Sequence, residues 1–566
     1  MKKIILLIIL FCACFSCSDN ILDLSPVDQI SEAAVWNDAK LLNAYHTELY
    51  NAIPQGFRIH MQSKATDEAF NSISWDIGAI PRGNLNPDNV GSVSNEHWTG
   101  GGNVYYWNTG FKYVRKINLF LEKMKVSTLT LDNKAQLIAE AKFLRAYIYF
   151  QFIERFGGVP IIDKTYNLGD EFKFTRNTFE ECVTFIESDL NTAIPDLPAK
   201  YASTNANFGR ATADACKALK SRLLLYAASP LFNPTNDLSK WQKAADAAQA
   251  LLSSGYALHP DYTTLFNQPS GSANNEIIFS RQFSTTNSHQ APMHNLGRRY
   301  GAYGGWWSSN GPSQNLVDDY DMANGEPPFI YSGSGATITK TINPASGYNP
   351  QNPYSNRDPR LDASVIHDAS VYHGDTFAMW VASDGNTWGY DSYKQSGDNP
   401  RSNYEMRKFM PDASIPLSWQ QPYTNPWIIF RLGEIYLNYA EAKFELGDEN
   451  TARLYVSKVR NRAGMPDIPA SVTGAELRKR IYNERRIELV FEEHRFWDVR
   501  RWKIAEDVEN RPIYGMDIFK NVSTGNFTYT PVNLLQRTFL PKMYLLPIET
   551  SEILKNKGSL TQTPNW

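Results

Sequence analysis

Residues 476–502 read ELRKRIYNERRIELVFEEHRFWDVRRW, and this stretch says most about how the chain is built. Leu477, Ile481, Ile487, Val490 and Phe491 recur at helical spacings, so a helix with an apolar stripe is predicted. Glu484, Glu488 and Glu492 stand four residues apart on one face and repel one another unless cations answer them. Arg485, Arg486, Arg495, Arg500 and Arg501 are the cations at hand, each able to grip a carboxylate with two parallel hydrogen bonds. Phe496, Trp497 and Trp502 add aromatic bulk. The pattern predicts a buried ion-pair lattice that locks helices together. A catalytic reading of these carboxylates and His494 is weaker. No histidine stands four residues from another, and the arginines would hold the carboxylates ionised.

Helical signals continue on both sides. The spacing predicts helices over 32–52, 104–125 and 131–155, the last with two apolar stripes and therefore buried on two sides. Thr178 with Glu181 makes a capping box for a helix to about 194. Residues 211–228 follow, then a helix capped by Ser239 and Gln242. A later pair, 429–446 and 449–463, has Tyr436, Ala440, Ala452, Tyr455 and Val459 at its seam. Helix pairs with Ala and Tyr in the seam resemble tetratricopeptide repeats, although the full repeat signature is absent.

The N-terminus is a secretion signal. Lys2 and Lys3 precede an apolar run over 4–15, too short to span a bilayer, and then Ser16-Cys17. A cysteine at the cut implies a bacterial lipoprotein, with Cys17 lipidated and residues 1–16 removed; Cys14 is a rival cut site. After Cys17 the cysteines are Cys182 and Cys216, each on the apolar face of a predicted helix. Buried free thiols are the default reading, and a disulfide is chemically allowed outside the cytoplasm. The net charge of −3 argues against a nucleic-acid partner.

The tract from 257 to 426 is different, rich in Gly, Asn, Ser and Pro. Its aromatic content speaks against disorder, so it is read as loops and small sheets laid on the helices. No GxSxG, GxxxxGKS/T or HExxH motif occurs. VDDYDMANGE at 317–326 has the flavour of a calcium loop through Asp319 and Asp321, but its spacing fails. Trp75, Trp98, Trp306, Trp307, Trp380, Trp388 and Trp419, seven of the 14 tryptophans, fall outside predicted helices. An exposed indole can stack on the C–H face of a sugar ring while neighbouring amides and guanidinium groups bond its hydroxyls. Trp306-Trp307 in GAYGGWWSSNG is the strongest candidate, with Tyr303, Arg298, Arg299 and Asn310 nearby.

RNRAGMP at 460–466, NERRIELVFEEHRFWDVRRW at 483–502 and FLPKMYLLPIETSEI at 539–553 resemble the SusD/RagB family of nutrient-uptake lipoproteins, as do EAKFLRAYIYFQFIERFGGVPI at 140–161 and NRDPRLDASVIH at 356–367. The resemblance implies a mainly α fold. TPR-like helix pairs carry a large irregular loop region with minor β structure. Residues 17–256 would form an N-terminal helical region and 257–566 a C-terminal region, helical over 427–505, in one compact body. It further implies a lipid-anchored protein on the outside of the outer membrane in the Bacteroidetes group, with a SusC-like TonB-dependent transporter as partner. The expected activity is non-catalytic capture of a glycan, with no cofactor or metal; the alternative is RagB-like peptide binding. Trp75, Trp98, Arg298, Arg299, Tyr303, Trp306, Trp307, Asn310, Trp380 and Trp388 are the expected ligand contacts.

Overall fold

Leu137, Ala141, Leu144, Ile148 and Phe152 share a helix with Ala139, Phe143, Ala146 and Phe150, and all nine are buried. Such a helix must lie at the centre of a layered body. The computed structural model describes residues 32–70, 76–94, 103–167, 169–300 and 308–566. Within them the helices that carry the architecture are, in chain order, α1 (Ala39–Glu48), α2 (Trp107–Val126), α3 (Lys134–Phe156), α4 (Phe179–Ala193), α5 (Ala213–Ala228), α6 (Leu238–Leu252), α7 (Leu432–Glu445), α8 (Glu449–Arg462), α9 (Gly474–Glu488) and α10 (Arg495–Arg501). From α2 to α8 each packs on the next, with α9 against both α7 and α8, which is the TPR-like stack. None is long and apolar enough to cross a membrane.

Local chemistry sets the ends. Asp38 accepts from the backbone N–H of Lys40 and Leu41, so the helix expected over 32–52 breaks there and α1 starts afresh. The capping box of Thr178 and Glu181 opens α4 as predicted. α6 is capped by Asp237 rather than Ser239, because a carboxylate two residues earlier takes the Ser239 N–H. Residues 429–431, expected in a helix, belong to a strand. Trp427–Arg431 pairs antiparallel with Ile277–Arg281, and α7 begins only at Leu432. The seam of α7 and α8 holds the predicted residues, with the Tyr436 and Tyr455 rings 5.4 Å apart.

The loop tract is ordered by short sheets. β1 (Ile277–Arg281) pairs with β3 (Trp427–Arg431), and β2 (Val381–Ala382) runs parallel to β4 (Ile513–Lys520), which pairs antiparallel with β5 (Phe527–Leu535). Ala69–Phe70 pairs with Gly311–Pro312. Cys182 and Cys216 are both buried and free.

The stretch 476–502 is not one helix. α9 ends at Glu488, and Phe491 and Glu493 take φ of 60° and 63°, a left-handed conformation that costs bulky residues about 1–3 kcal/mol each. The reason is geometric. Arg485 Nε lies 2.8 Å from Asp498 Oδ2. In a straight helix those residues would be roughly 20 Å apart along the axis.

The ion-pair lattice exists, but the three glutamates are answered by cations from distant segments. Glu484 accepts from Arg360 at 2.6 Å and Arg460 at 3.0 Å. Glu488 is held by Arg360 at 2.9 Å, Arg431 at 2.6 Å and by Arg462. Glu492 meets Arg431 and Lys408, each at 2.7 Å. The local arginines turn elsewhere. Arg485 and Arg501 share Asp498, Arg501 also grips Glu441, and Arg486 and Arg495 converge on Asp67. Arg500 pairs with no carboxylate among the described residues; it lies 3.5 Å over the Phe496 ring. Burial alone would push the Glu488 carboxyl up, but Arg462, Arg431 and Arg360 hold it well below the carboxylate range. Burial pulls Lys408 down to about 8 despite Glu492. Asp319 and Asp321, the calcium-loop carboxylates, pair with Arg486 and with Arg460 and Arg480.

Candidate functional site: an exposed aromatic ledge

Gly389 opens the site because nothing larger fits. A Cβ there would lie 2.1 Å from the Ala378 carbonyl oxygen. The chain over 380–389 folds back as a tight hairpin, with Gly389 N–H donating to Trp380 O at 2.9 Å and Val381 opposite Trp388. Directly opposed residues share a face and neighbours along a strand do not. The register therefore puts Trp388 on the face of Val381 and Trp380 on the other.

Trp380 and Trp388, both expected ligand contacts, are separated by that alternation. Trp380 is half-buried, packed on the main core with the Lys520 ammonium 4.6 Å from its ring. Trp388 is 39 % exposed, and its Nε1–H donates to Gln395 Oε1 at 2.7 Å, which fixes the plane of the indole.

Two residues on stands Tyr390, 46 % exposed, which no sequence motif marks. Two guanidinium groups back its ring, Arg299 at 4.9 Å and Arg298 at 5.7 Å. Arg299 is locked by a bidentate pair with Asp391 at 2.8 and 2.7 Å. Arg298 is held through its backbone N–H on Asn399 Oδ1 at 3.0 Å and its side chain on Gln395 O at 3.3 Å. Beneath them Glu405 accepts the Gly297 N–H at 3.0 Å, and burial, reinforced by Asp391, pushes its carboxyl up to about 8. The result is a ledge on which two exposed rings, two residues apart, are each held by polar neighbours: Trp388 by Gln395, and Tyr390 by Arg298 and Arg299.

The structure brings Arg298, Arg299 and Trp388 together. Asn310 is placed otherwise. It is fully buried, accepting from Met61 N–H at 3.0 Å and donating to Ile59 O and Asn295 Oδ1, so it ties loops together from inside. Trp75, Trp98, Tyr303, Trp306, Trp307 and Cys17 lie outside the described residues. Their described flanks are informative. Ser308 Oγ donates to Asp398 O at 3.1 Å, Tyr300 donates to Tyr372 O, and Phe70 pairs with Gly311. The chain entering and leaving 301–307 thus sits against the segments that carry the ledge, and the chain entering 71–75 joins it at Gly311.

A different pair of carboxyls has the signature of acid–base chemistry. Burial pushes Glu154 and Glu493 up to about 7. They line a cavity of only about 50 Å³ with Gln62 and Arg222. Small-molecule sites run to roughly 300–1,000 Å³, so no sugar ring enters there.

Comparison with known proteins agrees with this architecture. The family model for the SusD family matches residues 275–566, and one described as starch-binding associating with outer membrane matches 21–225. The SusD-like protein P25 of Formosa agariphila is 24 % identical over 425 residues, 71 % of this chain and 70 % of that protein. The crystal structure of a SusD-like protein from Bacteroides fragilis superposes with a TM-score of 0.75 at 29 % identity, covering 96 % of this chain and all of that one. A SusD-like carbohydrate binding protein from the same species has the same fold, at a TM-score of 0.73 and 24 % identity over 93 % of this chain and 99 % of that one. With more than half of its length matched by the family model and its helices stacked as in these structures, the chain belongs to the SusD family.

Proposed function

We propose that this protein is a non-catalytic, surface-exposed lipoprotein that captures an oligo- or polysaccharide and delivers it to a SusC-like TonB-dependent transporter. The observation that carries the reading is the Trp388–Tyr390 ledge, open to solvent, with Tyr390 backed by Arg298 and Arg299 and Trp388 held by Gln395. Sugar rings stack on such faces at about 1–3 kcal/mol per ring, by analogy with bases on aromatic side chains. Trp306, Trp307 and Tyr303, whose flanking residues adjoin the ledge, and Trp75, which follows the Phe70–Gly311 pairing, complete the binding surface in this reading. Cys17 carries the acyl chains that hold the protein on the outer membrane.

Non-catalysis is supported by where the carboxylates lie. Glu484, Glu488 and Glu492 are ion-paired inside the body, and the raised pair Glu154 and Glu493 beside the 50 Å³ cavity has no room for substrate. Calorimetry against a panel of polysaccharides and a peptide mixture tests the proposal. Binding of a glycan, lost in a Trp306→Ala/Trp307→Ala/Trp388→Ala variant of unchanged Tm, is expected, with no new reducing ends released. Binding of peptides alone overturns it.

A further inference from the structure

A second cleft shares no residue with the ledge. It has a volume of about 680 Å³, within the usual range for small-molecule sites, and lies between the first turns of α2, the segments 160–167 and 172–174, and the C-terminal helix Thr550–Lys555. Tyr166, Phe172 and Phe174 form one wall. The Tyr166 ring lies 5.1 Å from Phe174 and 6.1 Å from Phe172, and Phe172 is 43 % exposed. Phe111, stacked on Phe152 at 4.4 Å, faces the cleft from α2. An exposed phenylalanine in a wall of three rings buries nothing of its own and is poorly explained as core.

The charges lining this cleft are unbalanced. Arg115, Lys164 and Lys555 meet a single carboxylate, Glu552, and Lys555 is paired with it. Neither Arg115 nor Lys164 has a carboxylate in salt-bridge reach among the described residues; the Lys164 ammonium lies 5.2 Å from the Tyr166 ring. Asn108 and Asn167, both exposed, add amide donors and acceptors. Ring faces that accept C–H groups, amides that pair with hydroxyls and two unanswered cations together define a ligand with apolar faces, hydroxyl edges and negative charge.

We propose that this cleft is a separate binding site for an acidic oligosaccharide, one bearing carboxylate or sulfate groups. It does not depend on the ledge, and a protein with an idle ledge would keep it. The anion sits between Arg115 and Lys164, and a neighbouring pyranose lies on the Tyr166 and Phe172 rings.

The test is calorimetry on the whole secreted chain at low salt, with a galacturonic acid tetrasaccharide, a sulfated carrageenan tetrasaccharide and an uncharged cellotetraose as probes. Binding of at least one acidic probe over the neutral one is expected, and which one binds separates carboxylate from sulfate. Arg115→Gln/Lys164→Gln should weaken it about tenfold or more, as removal of a charge-assisted hydrogen bond would. Phe172→Ala should also weaken it, while Trp388→Ala/Tyr390→Ala should leave it unchanged. Arg115, Lys164 and Phe172 are exposed, so Tm should hold in each variant; if one variant misfolds, loss of acidic-probe binding on raising the salt reads out the same contacts. Equal binding of the neutral probe, binding indifferent to the cleft variants, or no binding of either acidic probe overturns the proposal. Loss of binding in the ledge variant alone would instead assign the acidic sugar to the ledge.

Discussion

Arg431 donates to Glu488 at 2.6 Å from 57 residues away, with neither side chain more than 1 % exposed. The same guanidinium also holds Glu276 and Glu492. One side chain thus joins the strand before α7, the end of α9 and the segment entering β1. Buried charges of this kind add little net stability over an apolar replacement of the whole set, but removing one partner leaves the others uncompensated.

Arg431→Met is therefore expected to destabilise the protein by about 3–5 kcal/mol, read as a fall in the urea midpoint at constant slope. Arg478→Met, which breaks an exposed pair with Glu445, should cost no more than about 1 kcal/mol. Equal effects would mean that the lattice is not buried in solution.

Glu405 predicts how stability varies with pH. Its carboxyl is pushed from 4.5 to about 8 in the folded protein, so the fold binds a proton that the unfolded chain releases. Its contribution is fully present below pH 4.5 and is lost as pH rises through 8. Glu68, pushed up to about 8 by burial, acts in the same direction. Above pH 6.5, where the buried His46, His289 and His294 no longer add stability with rising pH, Tm should fall toward pH 8, and Glu405→Gln should flatten that fall. A variant with the wild-type slope would show that Glu405 is ionised in place.

The ledge can be cut away without harm to the body. Trp388→Ala and Tyr390→Ala remove exposed rings, so each should change stability by less than about 0.5 kcal/mol. Each should weaken glycan binding about tenfold or more if a sugar stacks there. Tm and calorimetric affinity, measured on the same samples, separate the two effects.

Cys182 and Cys216 should be silent until the protein unfolds. Both are buried, and burial pushes the Cys182 thiol up to about 11, so neither presents thiolate at neutral pH. In protein lacking residues 1–17, a thiol reagent should find none in the native state and both after denaturation without reductant. Silence after denaturation would reveal a disulfide.

Much of the scaffold was legible because its signals are local. The two-faced helix around Leu144, the Thr178–Glu181 cap and the tyrosine seam of α7 and α8 each rest on spacings of three or four residues. What failed did so for equally physical reasons. Apolar periodicity at 427–431 fits a buried strand as well as a helix. Nothing local marks the reversal at Phe491, which is held by Arg485 reaching Asp498. Tyr390 carried no motif; its exposure and its two guanidinium neighbours come from the turn that Asp391 and Asn399 pin.

The need for cations beside Glu484, Glu488 and Glu492 is a property of the chain itself, because like charges one helical turn apart repel wherever the helix lies. So are the helix faces and the family pattern. Which cations answer was decided only when segments 24 to 124 residues apart closed on one another. Arg360, Arg431 and Arg460 reach those glutamates through contacts that have no spacing in sequence, whereas Trp380 and Trp388 part within one short hairpin whose register only the fold reveals.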